Sequence, residues 1–509
     1  MWIEALLVVT LLSAAIVFVA PNRIAGKLAF LLSLVPLYLS LVMFTEFDGA
    51  GNVLLDSTRA FETQVQWIAL EPYAINWWVG LDGISMPLIV LSTVLTTLAI
   101  VSAWTPIQER QSQFYGLVLF MEASLIGVFA ALDFFLWFIF WEAVLIPMYL
   151  LIGIWGGPRR KYAAIKFFIY TNVASLVMFI GVVALAFGLG DSITSFGLPE
   201  IAEALLADEL GSLGVIPADT LRIAAFIAIF FGFAVKVPVV PVHTWLPDAH
   251  VEAPTPVSVL LAGVLLKMGT YALLRFNFTM LEDIARILAL PIVAIAIISI
   301  LYGALLALAQ SDLKRIVAYS SISSMGYVII GLVAFTTYGM AGATFQMISH
   351  GLISGLMFMV VGVLYNQTHT RMVSDMSGLA DRMPITVGVF VAGAFAYMGL
   401  PLMSGFAAEF MIFLGAFDST VIPYAPLLTA IGMFGIVIVA GYLLWAMQRT
   451  LFGPFHLETD ADLHRSPVQD LAPLFILLGI IVVLGVQPDL IVEMIDGAVE
   501  PVLSLGGDN

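Results

Sequence analysis

Long apolar runs separated by short polar stretches dominate the chain. A membrane-spanning helix needs about 20 apolar residues to cross a hydrocarbon layer about 30 Å thick. The runs predict fourteen such helices, called spans one to fourteen, at residues 2-20, 28-45, 81-104, 115-131, 133-153, 163-188, 221-247, 256-275, 287-308, 315-335, 341-365, 384-416, 425-448 and 470-487. The predicted fold class is an all-α polytopic membrane protein that forms a single membrane domain.

Composition supports this prediction and excludes several functions. The chain is 61% hydrophobic and 11% charged, with a mean hydropathy of +1.06, so lipid is its main solvent. Its formal net charge of -16 argues against nucleic acid as a partner. The absence of cysteine excludes disulfides and thiolate metal ligation within this chain. Glu4 stands where a signal peptide would carry basic residues, so the first span is expected to be retained.

The distribution of basic residues predicts the topology. Cytoplasmic loops of membrane proteins collect Lys and Arg. With the N-terminus outside, thirteen of the nineteen basic residues, including Arg465, fall on or near the inner side, and four fall outside. The remaining two, Lys236 and Lys267, lie within the membrane. An even number of spans then places both termini outside, where most of the acidic residues also lie.

The long outer loop near residues 46 to 80 has two possible structures. Segments 63–68 and 74–79 are β-prone and alternate in polarity, which predicts a small hairpin on the outer face. An irregular loop explains the same composition equally well.

Five ionisable side chains lie deep within predicted spans. Placing a charge at bilayer depth costs about 2.5–3.5 kcal/mol on insertion scales, and such residues usually mark ion or proton paths. At a rise of 1.5 Å per residue, each lies about 10–22 Å from one end of its span. We expect the five to form a proton relay parallel to the membrane plane: Glu142, Lys236, Lys267, His350 and Glu409.

Two of these residues adjoin predicted helix breaks. Pro238 and Pro241 follow Lys236 in span seven, and Pro401 precedes Glu409 in span twelve. Proline lacks an N–H donor and clashes with the preceding helical turn. Interrupted helices inside a membrane are tolerated where they line a cavity or are buried in protein. The sequence therefore places an ionisable group beside a predicted helix break in each of spans seven and twelve.

Structural interpretations stay open beside the relay. Lys236 and Glu142 could form a structural ion pair, and His350 could be a satisfied structural histidine in a glycine-rich packing region. Hydration and helix capping could explain His243 and His250. The serines in segment 320–324 are typical of tight packing, although their hydroxyls could also hold water. Secondary relay candidates are Glu122, His243 and Ser324.

The sequence offers no evident source of energy. It contains no phosphate-binding loop with the spacing Gly-x-x-x-x-Gly-Lys-Ser/Thr, and no dinucleotide fingerprint. Only His350 lies deep within a span, which argues against the paired axial ligands of a membrane haem. We expect this chain to bind no cofactor or metal and to be driven by a partner.

Three segments carry a family resemblance that extends over nearly the whole chain. They are residues 140–147 (FWEAVLIP), 236–256 (KVPVVPVHTWLPDAHVEAPTP) and 313–326 (LKRIVAYSSISSMG). They resemble the antiporter-like subunits of respiratory complex I, a family shared with multisubunit sodium/proton antiporters and membrane-bound hydrogenases. The fourteen spans and the glutamate at position 409, where related subunits carry lysine, resemble the subunit M branch.

The resemblance implies an internal architecture. Spans four to eight and nine to thirteen would be two inverted five-helix repeats, with spans seven and twelve broken. The implied divisions are residues 1-114 for the N-terminal helices and outer loop, 115-275 and 287-448 for the repeats, and 449-509 for the C-terminal helix and tail. Ser324 stands where a histidine is common in the family.

It also implies a function. The chain would be a proton-translocating subunit of NADH:quinone oxidoreductase in a bacterial inner membrane, and opening and closing of a Glu142–Lys236 pair would release and recapture a proton. NADH, FMN, iron–sulfur clusters and quinone would be bound by partner subunits. Its partners would be neighbouring antiporter-like subunits, the peripheral arm reached through them, and lipid. The alternatives are a subunit of a sodium/proton antiporter or a membrane-bound hydrogenase, and a purely structural scaffold.

Overall fold

The computed structural model describes residues 1–49, 51–56, 59–459, 463 and 466–505. Arg465, one of the basic residues in the predicted inner loops, lies outside the described residues. So do the last four residues of the tail.

Apolar sequence forms helices over most of the described length. In chain order these are α1 (Trp2–Val19), α2 (Asn22–Thr45), α3 (Ser85–Ser102), α4 (Gln111–Ala130), α5 (Phe134–Ala143), α6 (Leu145–Trp155), α7 (Arg160–Leu189), α8 (Leu198–Leu206), α9 (Ala218–Lys236), α10 (Trp245–Glu252), α11 (Thr255–Leu260), α12 (Leu266–Ala272), α13 (Glu282–Ile287), α14 (Ala289–Leu308), α15 (Leu313–Val333), α16 (Thr337–Thr368), α17 (Pro384–Tyr397), α18 (Ser404–Phe417), α19 (Ala425–Thr450), α20 (Val468–Val486) and α21 (Asp489–Ser504). The π-helical segment Leu261–Leu265 joins α11 to α12, and a second π-helical segment, Leu273–Met280, continues α12, so that Thr255–Met280 forms one long helix.

These helices confirm the predicted fold class. Within the described residues, thirteen helices or joined helix pairs are long and apolar enough to cross a membrane. The shorter helices α17 and α18 together cover predicted span twelve. The fourteen predicted spans are therefore all present, and spans seven and twelve are interrupted as the prolines indicated.

A β-hairpin marks one end of the helical bundle. Strands β1 (Ala60–Leu70) and β2 (Tyr73–Leu81) pair antiparallel, so the hairpin interpretation of the outer loop is correct. The N-terminal amine lies 3.3 Å from Thr63 Oγ1, which places the start of α1 at the same end. We call this end the hairpin face and the other end the loop face. Short strands β3 (Met376–Ser377) and β4 (His456–Leu457) pair at the loop face.

Burial increases from the N-terminal helices towards the middle of the bundle. Helices α1 and α2 expose apolar side chains such as Leu12 and Leu31, which suits contact with lipid. In contrast, every residue in the most apolar window of α16, and of the long helix Thr255–Met280, is buried. Lys267 and His350 belong to these two helices. Two of the relay candidates therefore lie in the most enclosed part of the protein.

The hairpin face is held by contacts that the apolar pattern did not predict. Arg275 Nη2 donates to Asp82 Oδ1 at 2.6 Å, and both side chains are buried. Helix α21 lies in the predicted tail, and its apolar side chains, including Ile495 and Val499, are buried against the bundle. Asn52 Nδ2 donates to the Ala498 carbonyl at 2.8 Å. The tail is therefore a docked amphipathic helix.

Candidate functional site

The break in span seven is closed by side-chain hydrogen bonds. Helix α9 ends at Lys236, and the chain resumes helical structure at Trp245. The indole Nε1 of Trp245 donates to the Val235 carbonyl at 2.9 Å, and the Val240 N–H donates to Ser299 Oγ at 3.0 Å. These bonds satisfy backbone groups that the interrupted helix leaves without helical partners, in a segment where Pro238 and Pro241 have no N–H to donate. The interruption is thus a stable structural element.

The ammonium group of Lys236 lies over an aromatic ring. Its Nζ is buried, has no hydrogen-bond partner, and is 4.7 Å from the centroid of the Trp141 ring. A cation over a tryptophan face is stabilised by about 2 kcal/mol or more where water is excluded. A Cβ added to Gly269 would lie 3.2 Å from Lys236 Cβ, so the glycine allows the lysine to approach the long helix Thr255–Met280.

Glu142 is near Lys236 but does not form an ion pair with it in this structure. Its Oε2 accepts from Asn172 Nδ2 at 3.1 Å, and the residue is partly exposed. The Lys236 ammonium lies close enough to the Glu142 carboxylate for electrostatic interaction. Both residues flank Trp141, one as its neighbour in sequence and one above its ring. The structural ion pair considered from the sequence is therefore not formed.

Lys267 and His350 are in direct contact. Lys267 Nζ lies 2.7 Å from His350 Nδ1 and donates to the Ala262 carbonyl at 2.6 Å. His350 Nε2 lies 3.1 Å from Tyr397 Oη. If Lys267 is an ammonium, it donates to Nδ1, and Nε2 then carries the ring hydrogen and donates to Tyr397. If Lys267 is neutral, it accepts a hydrogen from Nδ1. One proton can therefore be shared along this line.

A π-helical turn shapes the surroundings of Lys267. The segment Leu261–Leu265 directly precedes the helix that carries the lysine. The Ala262 carbonyl within this segment accepts from the side chain of Lys267, five residues later. Such π-helical turns often occur at functional sites. The amino-acid pattern did not predict this π-helical turn.

Glu409 lies beside the break in span twelve. Helix α17 ends at Tyr397 and α18 begins at Ser404. Gly399, within the break, has a φ of +65°, and a Cβ there would lie 2.6 Å from Glu409 Oε2. Glycine is therefore needed for both the backbone conformation and the position of the carboxylate. Tyr397 lies at the other end of the same break, and its hydroxyl contacts His350, which in turn contacts Lys267.

A second connection links Glu409 to the central helix α16. Gln346 Nε2 donates to Glu409 Oε1 at 3.5 Å, and Gln346 precedes His350 by one helical turn. Ser349 Oγ and Ser404 Oγ are 2.8 Å apart. In the turn that precedes His350, α16 thus contacts both Glu409 and the beginning of α18.

The secondary candidates lie in separate surroundings. Glu122 is fully buried on α4, and neither of its carboxylate oxygens has a hydrogen-bond partner. His243 contacts the Tyr302 ring edge-on, with centroids 5.8 Å apart. Ser324 is buried on α15. None of these contacts joins them directly to the five main residues.

His250 was assigned from the sequence to hydration or capping, and its burial does not fit hydration. The ring is fully buried, neither nitrogen has a partner, and it stacks on Phe358 at 4.4 Å. It lies close enough to Lys267 and Lys314 for electrostatic interaction. Lys314 also lines a cavity of about 480 Å³ at the loop face. The helix-end position of His250 gave no sign of this arrangement.

Ion pairs hold the short helix α10 at the loop face. Asp248 accepts from Lys166 at 2.8 Å and from Arg315 at 3.1 Å, which ties α10 to α7 and α15. Lys314 donates to the Ala253 carbonyl just beyond the end of α10. Within the described residues, no group of three or more His, Asp or Glu side chains is arranged to hold a metal ion.

Two family models match the chain. Residues 131–439 match the model described as NADH:quinone oxidoreductase/Mrp antiporter, TM. Residues 60–128 match the model of NADH-ubiquinone oxidoreductase chain 4, amino terminus. The first match contains all five main relay candidates.

Full-length relatives and solved structures agree with these models. The chain is 38% identical over 507 residues to the F(420)H(2) dehydrogenase subunit M of Methanosarcina mazei, covering 98% of this chain and 97% of that protein. It is 38% identical over 508 residues to an NAD(P)H-quinone oxidoreductase chain 4 of Trichormus variabilis, covering 97% and 90%. A chain in respiratory complex I from Thermus thermophilus superimposes with a TM-score of 0.86, 27% identity and full coverage of both chains. A chain of the Mrp complex from Dietzia superimposes with a TM-score of 0.83 over 99% of this chain and 97% of that one, but at 20% identity this match shows the fold alone.

Proposed function

Because the chain belongs to the NADH:quinone oxidoreductase/Mrp antiporter family of membrane subunits, and within it to the chain 4 group, we propose that its buried ionisable row carries protons. The chain is a proton-translocating membrane subunit of NADH:quinone oxidoreductase. The row consists of Glu142, Lys236, Lys267, His350 and Glu409. Electron transfer takes place in other subunits, and this chain converts the released energy into proton movement.

The observation that carries the proposal is the contact of Lys267 with His350 and of His350 with Tyr397. Two ionisable groups 2.7 Å apart in a fully buried position are costly unless they share a proton. Their line of contacts ends at the break in span twelve, beside Glu409. A structural histidine needs two hydrogen-bond partners, but it does not need one of them to be a lysine.

The proton moves between groups whose charge states change in turn. When Lys267 gives a proton to His350 Nδ1, the ammonium becomes a neutral amine and the imidazole becomes a cation. The imidazolium then releases its Nε2 proton towards Tyr397 and returns to the neutral form. Glu409 takes up one proton, becomes a carboxylic acid, and releases that proton to the far side of the membrane.

Lys236 and Glu142 supply the switch at the other end of the row. Moving Glu142 towards Lys236 stabilises the ammonium, and moving it away favours release of a proton to Lys267. The present spacing, with no ion pair and the ammonium over Trp141, corresponds to the separated state. A neighbouring subunit would drive the change by acting on the partly exposed Glu142.

The charge of the loops supports one orientation of the chain in the membrane. We place the loop face in the cytoplasm and the hairpin face, with both termini, in the periplasm of a bacterial inner membrane. Uptake would start at the loop face, and release would occur near Glu409. We further propose that spans four to eight and nine to thirteen are inverted repeats. NADH, FMN, iron–sulfur clusters and quinone belong to partner subunits, and neighbouring antiporter-like subunits connect this chain to the peripheral arm.

The test is proton pumping by the assembled complex in sealed vesicles. Replacement of Glu409 by Gln, or of Lys236 by Ala, should reduce the number of protons moved per electron while the complex still assembles. Glu109→Gln is the matched control, because Glu109 is an exposed carboxylate at the loop face. Normal stoichiometry in both relay variants would rule out the proposed path.

A sodium/proton antiporter subunit is the second candidate, because the Mrp complex has the same fold. A purified complex that lacks NADH oxidation and moves sodium would favour it. A hydrogenase assignment would require nickel in the complex and hydrogen-dependent activity. The full-length similarity to NAD(P)H-quinone oxidoreductase chain 4 favours the first function.

A further inference from the structure

A recess of about 630 Å³ opens at the loop face, where α19 ends. Its wall is formed by the last turns of α19, by strand β3, and by the connection between α14 and α15. Ligand sites in proteins usually have volumes of about 300–1,000 Å³. None of the five relay residues lines this recess. It is therefore a separate feature of the fold, and it is large enough to bind a small polar group.

Side chains with hydrogen-bond donors line the recess. Trp445, Gln448 and Arg449 come from α19, and Ser311 comes from the connection between α14 and α15. In the part of the chain that the structure describes, none of these four side chains makes a hydrogen bond or an ion pair. They are therefore available to donate to a bound group.

The three donors of α19 share one face of the helix, because they are separated by three and four positions. An arginine in the last turn of a helix also stabilises the helix dipole, which would account for a cation at position 449 by itself. The dipole does not account for an indole N–H and a side-chain amide on the same face, both without partners. The set suits an anion with several oxygen atoms, and the guanidinium of Arg449 matches the geometry of a phosphate.

No acidic side chain among the described residues lines the recess. Asp375 adjoins it in sequence, but its carboxylate accepts from Thr370 Oγ1 at 2.7 Å and from Ser374 Oγ at 2.8 Å. A bound anion would thus meet the positive charge of Arg449 and several neutral donors. The recess is complementary to an anion and not to a cation.

An exposed apolar stripe leads along α19 to this recess. Phe434, Val437 and Leu444 are 57%, 61% and 50% exposed, and with Gly441 they are spaced by three or four residues up to Gln448. A Cβ added to Gly441 would meet no atom within 4 Å, so the stripe has open space at this point. From Phe434 to Gln448 the helix rises about 21 Å. The stripe is therefore long enough to follow an acyl chain through one leaflet of a hydrocarbon layer about 30 Å thick.

A phospholipid combines the two chemistries in this order, with a phosphate at the membrane surface and acyl chains below it. Tryptophan is enriched at the boundary between membrane and water, as Trp445 would be here. Basic pockets at the ends of membrane helices bind anionic headgroups. A soluble anion would use the recess but not the stripe. A protein partner would cover the stripe, but it would have to bring an acidic group of its own to the recess.

We propose that the recess binds the phosphate of an anionic phospholipid, and that one acyl chain of this lipid lies along the α19 stripe. Arg449 carries the charge that selects an anionic headgroup, and Trp445 and Gln448 position the phosphate. Gly441 makes room for the acyl chain. The bound lipid links the end of α19 to β3 and to the connection before α15. The site does not depend on the proposed relay or on the direction of proton transfer.

The test uses the assembled complex in vesicles that contain phosphatidylglycerol with a photoreactive diazirine in one acyl chain. After illumination, mass spectrometry locates the labelled residues of this chain, and we expect them within 434–444. Arg449→Ala should lower this labelling about fivefold below saturation, the usual effect of one basic residue on binding to an anionic membrane surface. Arg449→Lys keeps the charge and should retain part of the labelling. Arg23→Ala is the matched control, because Arg23 is exposed at the loop-face end of α2 and lies outside the recess.

A second variant tests the acyl part of the site. Gly441→Leu fills the open space on the stripe and leaves every donor of the recess in place, so labelling should fall while the complex still assembles. Gly479→Leu on α20 is its control, since Gly479 is also exposed and a Cβ there meets no atom within 4 Å. Equal labelling in wild type and Gly441→Leu would show that no acyl chain lies on this stripe.

Three further outcomes would overturn the proposal. Equal labelling of α19 by a phosphatidylcholine probe would mean ordinary contact with bulk lipid. Loss of labelling in the presence of an equal concentration of glycerol 3-phosphate would assign the recess to a soluble phosphate. If neither lipid probe labelled α19 in the assembled complex, a neighbouring subunit would cover this face. Unchanged labelling in Arg449→Ala would likewise exclude a headgroup in the recess.

Discussion

The Nζ atom of Lys267 lies 2.7 Å from Nδ1 of His350, although the two residues are 83 positions apart. Neither side chain is exposed to solvent. The contact joins the long helix Thr255–Met280 to α16, the two most enclosed helices of the bundle. It makes one directly contacting pair of two buried ionisable residues, and it sets the first test of the proposed relay.

His350→Gln separates a relay role from a structural one. Glutamine can keep hydrogen bonds to Lys267 and Tyr397, but it cannot take up a proton. We expect normal assembly and a large loss of proton pumping per electron in sealed vesicles. His456→Gln, an exposed histidine on β4, should pump normally. Full pumping by the His350 variant would show that the histidine is structural.

Trp141→Leu tests the environment of Lys236. The Trp141 ring, 4.7 Å from Nζ, favours the charged form of the lysine. Loss of the ring should weaken proton retention at Lys236. Proton pumping, measured relative to the rate of quinone reduction, should therefore fall. Trp137→Leu removes a similar volume from the same aromatic group, since the two rings stack 4.7 Å apart. Equal losses in the two variants would mean that packing, and not the cation–ring contact, is responsible.

Much of this architecture could be predicted because a lipid bilayer restricts the backbone structures that a chain can adopt. Each crossing must satisfy its backbone internally, so apolar length alone located the spans. The cost of a buried charge singled out Lys236 and Glu409, and proline chemistry located the breaks beside them. These properties are local to the sequence, and the structure has them in the predicted places.

Contacts between distant segments could not be predicted in this way. No local rule relates His350 to Tyr397, or places the Lys236 ammonium over Trp141. The π-helical turn before Lys267 depends on packing in three dimensions. Helix α21 was missed because acidic residues interrupt its apolar positions, and only its docking on the hairpin face reveals the buried stripe of Ile495 and Val499.

Gly399→Ala should disturb Glu409 without altering any ionisable group. Alanine at a φ of +65° costs about 1–2 kcal/mol, and its Cβ would meet Glu409 Oε2 at 2.6 Å. The carboxylate must therefore move, and pumping should decline more than assembly. Gly388→Ala on α17 is the control, since a Cβ there meets no atom within 4 Å. Pumping rates that match between the two variants would argue against a precise position for the carboxylate.

Asp82→Ala should destabilise the hairpin face, because it leaves the guanidinium of Arg275 buried without its partner. Removing one member of a buried ion pair typically costs about 3–5 kcal/mol. Asp82 also accepts from the N–H groups of Val53, Ile84 and Ser85, so more than the ion pair is lost. We expect a lower melting temperature of the assembled complex and less subunit incorporated into it.

A second substitution identifies the cause of that loss. Arg275→Met in the Asp82→Ala background removes the unpaired charge and should restore part of the stability. Arg286→Met breaks a partly exposed pair with Glu282, which is expected to contribute about 1 kcal/mol or less. If Asp82→Ala were no more harmful than Arg286→Met, the buried pair would not hold the hairpin face. If the double variant were as unstable as Asp82→Ala alone, the lost backbone hydrogen bonds, and not the stranded charge, would account for the damage.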